Sequence, residues 1–266
     1  MNTADYPGLR LQRDGATAVI TLSNPPAHTW TPESLAALIQ LVHDMAADRS
    51  VRALVLTGEG EKFFSAGADL KQFAPRDNGA DKAAAATMAA RFGQAFEALA
   101  EFPGVTLAAI NGYAMGGGLE CALACDFRIA EAHAVMALPE ASVGLLPCAG
   151  GTQWLAWLVG ESWAKRMILL GERLDAETAH RIGLVDAVVP RGQGLSTALQ
   201  WAQRVLRQSP AAVRSCKRLV QAARTLPPRH ALAAEREAFV ALFDGADRAE
   251  GVNAFLQKRT PVWSDT

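Results

Sequence analysis

A buried strand, followed by a run of glycines and a helix, constrains this chain more than any other feature. Residues 105–110 form a segment that is apolar except for Thr106, as expected of a strand covered on both faces of a parallel sheet. Gly116, Gly117 and Gly118 come next, and a helix is predicted over 117–125. Glycines let a backbone approach a ligand closely, and the unpaired N–H groups at a helix start attract negative charge. The unit therefore predicts an α/β fold with an anion-binding backbone after a strand.

Several kinds of site use such a unit. A dinucleotide site requires G-x-G-x-x-G; Gly116 and Gly118 fit, and Glu140 follows at a suitable distance, but the third glycine is replaced by Cys121. A phosphate-binding P-loop is excluded because no Gly-Lys pair followed by Ser or Thr occurs, and the nearest nucleophile elbow, at 194–198, lacks its final glycine. An oxyanion hole remains, in which a backbone N–H points at a developing enolate oxygen. A dinucleotide-dependent oxidoreductase is kept as an alternative.

Strand and helix patterns alternate over about three quarters of the chain. An Asp-Gly pair predicts a hairpin between 9–13 and 16–22, a capped helix is predicted to start at Thr31, and further apolar strands follow. Beyond about residue 195 only helical patterns remain. We therefore predict an α/β core over 1–195 and an all-helical region over 196–266.

Charge and composition exclude several other classes. The formal net charge is -1, so nothing favours a nucleic-acid or acidic-membrane partner. The N-terminus shows no pattern of a secretion signal, and the uncharged, glycine-interrupted run 104–119 is too short to span a bilayer, so we expect a cytoplasmic protein. Cys121 and Cys125 have apolar neighbours and are interpreted as buried hydrophobic residues, so no metal site is expected.

A second small-residue loop and two acids complete the candidate site. The loop 63–70 follows another apolar strand, and a peptide at Ala66–Gly67 could direct an N–H into a cleft; a tight turn capped by Asp69 is the alternative. Glu120 lies one step inside the glycine-rich helix start, in apolar surroundings where an acid is rarely found without a reason. Glu140 follows Pro139 at a strand end, where site residues gather in α/β folds. Two carboxylates facing one substrate could share acid–base work.

Taken together, these stretches resemble the enoyl-CoA hydratase/isomerase (crotonase) family along nearly the whole chain. The matching segments are 64–71 (FSAGADLK), 110–120 (INGYAMGGGLE), 125–126 (CD), 139–140 (PE), 144–147 (GLLP), 150–153 (GGTQ), 250–255 (EGVNAF) and 258–259 (KR). Their order and spacing carry the resemblance, since no single segment is specific enough. It implies a spiral of ββα turns with a C-terminal helical trimerisation region, and assembly as a homotrimer or a dimer of trimers.

The resemblance also implies roles for particular residues. Ala66 and Gly117 would give the two oxyanion-hole N–H groups, and Glu120 and Glu140 would be the acid–base pair that adds water to a trans-2-enoyl-CoA, yielding a 3-hydroxyacyl-CoA in fatty acid metabolism. The CoA moiety would be part of the substrate, with no separate cofactor, and its expected contacts are Ala27, Ala68, Asp69, Leu70, Lys71, Phe243 and Lys258. Lys258 could act across a subunit boundary.

Alternatives and departures from the family pattern stay open. Isomerisation, decarboxylation or thioester hydrolysis could occur on the same scaffold, and a non-catalytic RNA- or partner-binding member is an alternative of another class. Residues 28–30 (His-Thr-Trp) replace a common Asn-Ala-Leu, Cys148 replaces a glycine and Trp154 an arginine. His28 is expected to be structural.

Overall fold

A computed structural model of the chain describes residues 2–73 and 81–264. The strands are β1 Asn2–Tyr6, β2 Leu9–Asp14, β3 Thr17–Leu22, β4 Ala53–Gly58, β5 Phe63–Ser65, β6 Val105–Ile110, β7 Tyr113–Met115, β8 Phe127–Glu131, β9 Val135–Ala137, β10 Leu174–Asp175 and β11 Ala187–Val189. The helices are α1 Pro32–Ala47, α2 Asp81–Glu101, α3 Gly117–Leu123, α4 Gly151–Leu169 (interrupted at Gly160), α5 Ala176–Arg181, α6 Gly194–Leu206, α7 Pro210–Ala222, α8 Pro228–Ala241 and α9 Ala246–Leu256. No helix in these ranges is long and apolar enough to cross a membrane.

The strands form two sheets that the chain visits in turn. The larger has the order β1-β2-β3-β4-β6-β8-β11 and the smaller β10-β9-β7-β5. Each of β4, β6 and β8 lies in the large sheet and is followed by a short strand of the small one, after which the chain returns to the large sheet, in the last case by way of β10. This alternation is the ββα spiral expected from the sequence, and the helices after β11 form the expected C-terminal helical part.

Local sequence accounts for the principal elements. β4 and β6 are buried along their whole length, which explains why each is apolar except for one threonine, Thr57 and Thr106. Thr31 caps α1 as predicted, because its hydroxyl accepts a bond from the Ser34 N–H and the Ser34 hydroxyl accepts one from the Thr31 N–H. The 9–22 hairpin also forms as predicted.

The sequence missed the short strands. β5 and β7 lie where loops were expected, and β1 and β10 were not anticipated. β5, β7 and β10 have three residues or fewer, too few for an alternating pattern to be visible. They form because parallel or antiparallel partners lie beside them in the small sheet.

The C-terminal helices are joined to the core by packing and by a partly buried cation. Ala198 and Ala202 of α6 pack into the apolar cluster on one face of the large sheet. On α7, the Lys217 ammonium donates to the Phe102 and Gly104 carbonyls and to the Asp126 carboxylate, at 2.8, 3.0 and 2.8 Å. The predicted division at residue 195, between an α/β core and a helical region, stays a prediction. It describes the order of elements along the chain, while α6, which follows that residue, packs against the sheet of the core.

Candidate active site

Three neighbouring parallel strands of the small sheet deliver the candidate site. β5, β7 and β9 lie side by side, with β7 in the middle. The carboxyl ends of parallel strands meet at the same edge of a sheet, which is where ligands bind in α/β folds. The loop with Ala68 follows β5, Gly117 and Glu120 follow β7, and Glu140 follows β9. The topology therefore brings together segments that are far apart in the sequence.

The hydrogen bonds of the loop after β5 contradict the prediction for one residue of the oxyanion hole. The Ala66 N–H donates to the Ala27 carbonyl at 2.9 Å, and the Gly67 N–H donates to the Ser65 hydroxyl at 3.1 Å. Ala66 was therefore a wrong prediction, because its N–H is engaged within the fold. The Ala68 N–H has no hydrogen-bond acceptor among the described residues.

Backbone alternation explains why Ala68 is left free. The Gly67 carbonyl accepts from the Trp30 N–H at 2.8 Å, and the Asp69 N–H donates to the Trp30 carbonyl at 3.1 Å. Both groups therefore point to the same side of the extended segment. The intervening Ala68 N–H points to the other side, where Ala68 lines a cleft. A Cβ on Gly67 would lie 3.1 Å from the Gly117 nitrogen, so the two loops are in contact.

Glu120 is a buried carboxylate held in place by the backbone. It is 2% exposed, and its Oε1 accepts N–H bonds from Ala149 and Gly151 at 2.8 and 2.9 Å. Burial raises the pKa of the Glu120 carboxyl above its usual value, while these two bonds act in the opposite direction. Two donors on one oxygen fix the orientation of the carboxyl and leave Oε2 for another partner.

Glu140 is the second acid of the cleft and lies beside the first glycine of the run. A Cβ on Gly116 would come within 3.0 Å of the Glu140 Oε1, while Oε2 is buried without a partner in the described part of the chain. Burial, together with the nearby Glu120 charge, raises the pKa of Glu140 to about 7. A carboxyl with this pKa can hold or release a proton near neutral pH.

These groups line one cleft of about 480 Å³ whose wall is otherwise mainly apolar. Its described lining is Ala66, Ala68, Leu70, Phe73, Ala85, Ala89, Phe92, Gly116, Gly117, Glu120, Pro139, Glu140, Ser142, Val143, Gly144, Leu145, Leu146 and Cys148. Gly117 is the first residue of α3, so its N–H has no acceptor within the helix. Within the described residues, the cleft thus combines two N–H donors that have no acceptor with two acids in different surroundings, a combination suited to enolate chemistry.

Comparison with known proteins agrees with this geometry. The family model described as "Enoyl-CoA hydratase/isomerase" matches residues 12–266. The chain belongs to the enoyl-CoA hydratase/isomerase family. It is 40% identical to 2,3-dehydroadipyl-CoA hydratase of Escherichia coli (strain K12), covering 95% of this chain and 97% of that one. It is 35% identical to carnitinyl-CoA dehydratase of Salmonella typhi, covering 96% and 97%. The solved structure of Pseudomonas aeruginosa DspI has a TM-score of 0.94 and 60% identity, covering 98% of each chain.

The CoA contacts implied for this family member fall into two groups. Ala68 and Leu70 line the cleft, and Ala27, Asp69 and Lys71 belong to the same corner: Ala27 accepts from Ala66, and the Asp69 carboxylate accepts from the Lys71 N–H at 3.1 Å.

The other two predicted contacts lie in the C-terminal helical part. Phe243 makes an edge contact with the Phe239 ring and has the Arg248 guanidinium over its own ring, and Lys258 follows α9 as an exposed residue with a positive φ of 54°. Neither residue lines the cleft of its own chain.

The departures from the family pattern are resolved in part. His28 is buried and structural, as expected: its Nδ1 accepts from the Asn24 N–H, which leaves Nε2 to donate to the Glu59 carbonyl, at 3.1 and 2.8 Å. Cys148 lines the cleft, where partial burial and the two carboxylates raise the pKa of its thiol to about 11. Trp154 packs against the main apolar core.

The residues that sequence reasoning missed act through their backbone. Ala149 and Gly151 hold Glu120, and Ala68 was interpreted as a CoA contact and not as a donor. The Gly150-Gly151 pair before a helix was a visible signal, although nothing in it indicates which acid it contacts.

Among the residues that the structure describes, no group of three or more His, Cys, Asp or Glu side chains could hold a metal ion.

Proposed function

We propose that this enzyme reversibly adds water to the double bond of a trans-2-enoyl-CoA, giving a 3-hydroxyacyl-CoA. One observation carries the proposal: a single cleft holds two acids whose hydrogen bonding differs. Glu120 accepts two backbone N–H bonds, whereas Glu140 has an oxygen without a partner in the described residues and a pKa of about 7. Hydration needs such a pair, because one group must take a proton from water while another gives a proton to carbon.

The thioester carbonyl would bind the Ala68 and Gly117 N–H groups. Both donors lie at the carboxyl ends of adjacent strands and face the same cleft. As negative charge develops on the carbonyl oxygen, these bonds strengthen; loss of one such donor typically costs ~3 kcal/mol of transition-state stabilisation. This stabilisation favours attack at C3 because the charge displaced from the double bond reaches the held oxygen.

The two glutamates would divide the proton transfers. Glu120 starts as a carboxylate, takes a proton from water, and the resulting hydroxide oxygen bonds to C3. Glu140 starts protonated and gives its proton to C2, so the pair exchanges roles and one water is consumed. Both acids face the cleft from the ends of adjacent strands, which is consistent with addition from one side. The reaction requires no cofactor beyond the CoA carried by the substrate.

Product analysis tests the proposal. Purified enzyme is incubated separately with crotonyl-CoA, 3-hexenoyl-CoA and malonyl-CoA, and the products are separated by liquid chromatography and mass spectrometry. Hydration predicts 3-hydroxybutyryl-CoA from crotonyl-CoA as the fastest reaction. Faster conversion of 3-hexenoyl-CoA to the 2-enoyl isomer, carbon dioxide release from malonyl-CoA, or free CoA from each substrate would replace hydration by isomerisation, decarboxylation or hydrolysis.

Members of the family commonly form trimers, and we propose a homotrimer or a dimer of trimers here. Phe239 and Phe243 near the end of α8, and Phe255 and Leu256 of α9, are half to five-sixths exposed. Burial of such side chains against another copy is favourable by roughly 25 cal/mol per Å². Light scattering at a mass of three or six chains would support this assembly, whereas a monomer would contradict it. Assembly also offers the route by which Phe243 and Lys258 could reach a neighbour's CoA.

A further inference from the structure

Three buried aromatic rings lie in a row between the two oxyanion donors. Trp30, Phe96 and Phe92, here called the aromatic row, are each at most 2% exposed. The middle ring, Phe96, makes an edge contact with each of the others, with centroid distances of 5.6 Å and interplanar angles of 67° to Trp30 and 71° to Phe92. Aromatic pairs prefer such edge contacts, because the positive edge of one ring meets the negative face of the other. The three rings therefore have defined positions relative to one another.

Each end of the aromatic row contacts one of the donor segments. At one end, a Cβ on Gly117 would lie 2.9 Å from the Phe92 Cε1, so the Phe92 ring packs directly against the Gly117 backbone. At the other end, the Trp30 main chain is hydrogen-bonded to both neighbours of Ala68, which directs the Ala68 N–H to the cleft. The row thus extends from one donor to the other.

Packing is what holds these rings. Trp30 lies in the segment before α1, whereas Phe92 and Phe96 lie one turn apart on α2. The Trp30 Nε1 is buried without a hydrogen-bond partner in the described part of the chain, so no polar contact within that part fixes the indole. Protein interiors are close-packed, and removal of one ring is felt by its neighbours. A change in the middle of the row should therefore reach both donor segments.

We propose that the three rings of the aromatic row are positioning residues, which hold the Ala68 and Gly117 N–H groups at the separation that one enolate oxygen requires. The inference rests on the proposed function, in which both groups bind the thioester oxygen. Trp30 and Phe96 are not part of the described lining of the cleft, so they act through the two donor segments and not through the ligand. Position matters here, because a misplacement of about 1 Å can cost roughly 100-fold in rate.

Binding of acetoacetyl-CoA tests the inference without any addition of water. This thioester loses a proton from C2 to give an enolate with its own near-ultraviolet absorbance, and oxyanion donors favour that form. Phe96→Leu removes the middle ring, and Phe102→Leu is the matched control, since Phe102 is equally buried just after α2 and lies outside the row. We expect the ratio of enolate to neutral ligand on the enzyme to fall at least about tenfold in Phe96→Leu and less than about twofold in Phe102→Leu. Equal falls in both variants would overturn the inference.

The Trp30 end of the row gives a second measurement. Trp30→Phe keeps an aromatic ring beside Phe96, whereas Trp30→Leu removes it. We expect the enolate ratio to fall at least about tenfold in the leucine variant and less than about threefold in the phenylalanine variant. Affinity for butyryl-CoA, which lacks an acidic C2 proton, should change less than about threefold in both. Equal enolate ratios in the two variants, or a parallel loss of butyryl-CoA affinity, would contradict a positioning role.

The enolate readout also separates this inference from the proposed reaction. Enolate formation depends on the thioester oxygen and its two donors, so the same comparison holds whether crotonyl-CoA is hydrated or not. A wild-type enzyme that fails to hydrate crotonyl-CoA but loses bound enolate in Phe96→Leu alone would refute hydration and support the aromatic row. A wild-type enzyme that binds acetoacetyl-CoA without any enolate would overturn the inference, because the donors would then stabilise no oxyanion.

Discussion

The pKa of Glu140 leads to a specific pH dependence of the proposed hydration. In the proposed mechanism, the active enzyme carries one proton on the pair, with Glu140 protonated and Glu120 ionised. Because the pKa of Glu140 is about 7, the protonated fraction falls from about one half at pH 7 to about one tenth at pH 8 and one hundredth at pH 9. We therefore expect kcat/KM for crotonyl-CoA to fall tenfold per pH unit above about pH 7.

The reverse reaction sharpens this prediction. Dehydration of 3-hydroxybutyryl-CoA starts from Glu120 protonated and Glu140 ionised, which is again one proton on the pair. Both directions should therefore show the same limb above pH 7, since the titration belongs to the pair and not to either acid alone. Initial rates at subsaturating thioester between pH 5.5 and 9.5 give both profiles. A value constant within twofold from pH 6 to 9 would refute the assignment of a general acid with this pKa.

Two further predictions concern the same pair. Gly151→Ala puts a Cβ 2.9 Å from the Glu120 Oε1 and 2.7 Å from the Pro147 Cβ, so kcat for crotonyl-CoA should fall roughly 10- to 100-fold because a charged hydrogen bond is disturbed. Gly93→Ala is the control, since its Cβ would meet the far end of a side chain, the Glu97 Oε1, at 3.7 Å. Equal rates in both variants would contradict the role of Gly151. Glu140→Gln should be more stable than wild type at pH 8 by about 1–2 kcal/mol, after discounting for partial solvent exposure. The wild-type protein loses stability as pH rises from 4.5 to about 7, because the pKa of Glu140 is raised over that interval on folding. Urea unfolding at fixed protein concentration should show the difference in unfolding free energy vanishing near pH 4.5, and a difference independent of pH would be contrary to this linkage.

The sequence predicted the parts of the site that depend on residue type. Glu120 stood out because an acid in an apolar helix start is unusual, and the glycine run indicated an exposed backbone at Gly117. The buried strands β4 and β6 were visible as apolar runs for the same reason. The family resemblance, which the comparisons confirmed, supplied the ββα spiral and the importance of Glu140.

What the sequence could not supply depends on backbone direction and distant pairing. Ala66 and Ala68 are the same residue type two positions apart, and only the hydrogen bonds to Ala27 and Trp30 show which N–H is free. The support of Glu120 by Ala149 and Gly151 joins positions about thirty residues apart through main-chain atoms that carry no sequence signal. The three-residue strands β5 and β7 are fixed by their partners in the small sheet, not by local preference.

Turnover of crotonyl-CoA by Glu120→Gln and Glu140→Gln tests the two-acid hydration most directly. Each variant keeps the shape of the side chain and removes proton transfer, so we expect kcat to fall by roughly 10²–10⁴ in each. Glu161→Gln is the matched control, because that acid is exposed on α4 and pairs with Lys165; its rate should equal that of the wild type. Wild-type rates in both Glu120→Gln and Glu140→Gln would contradict the account.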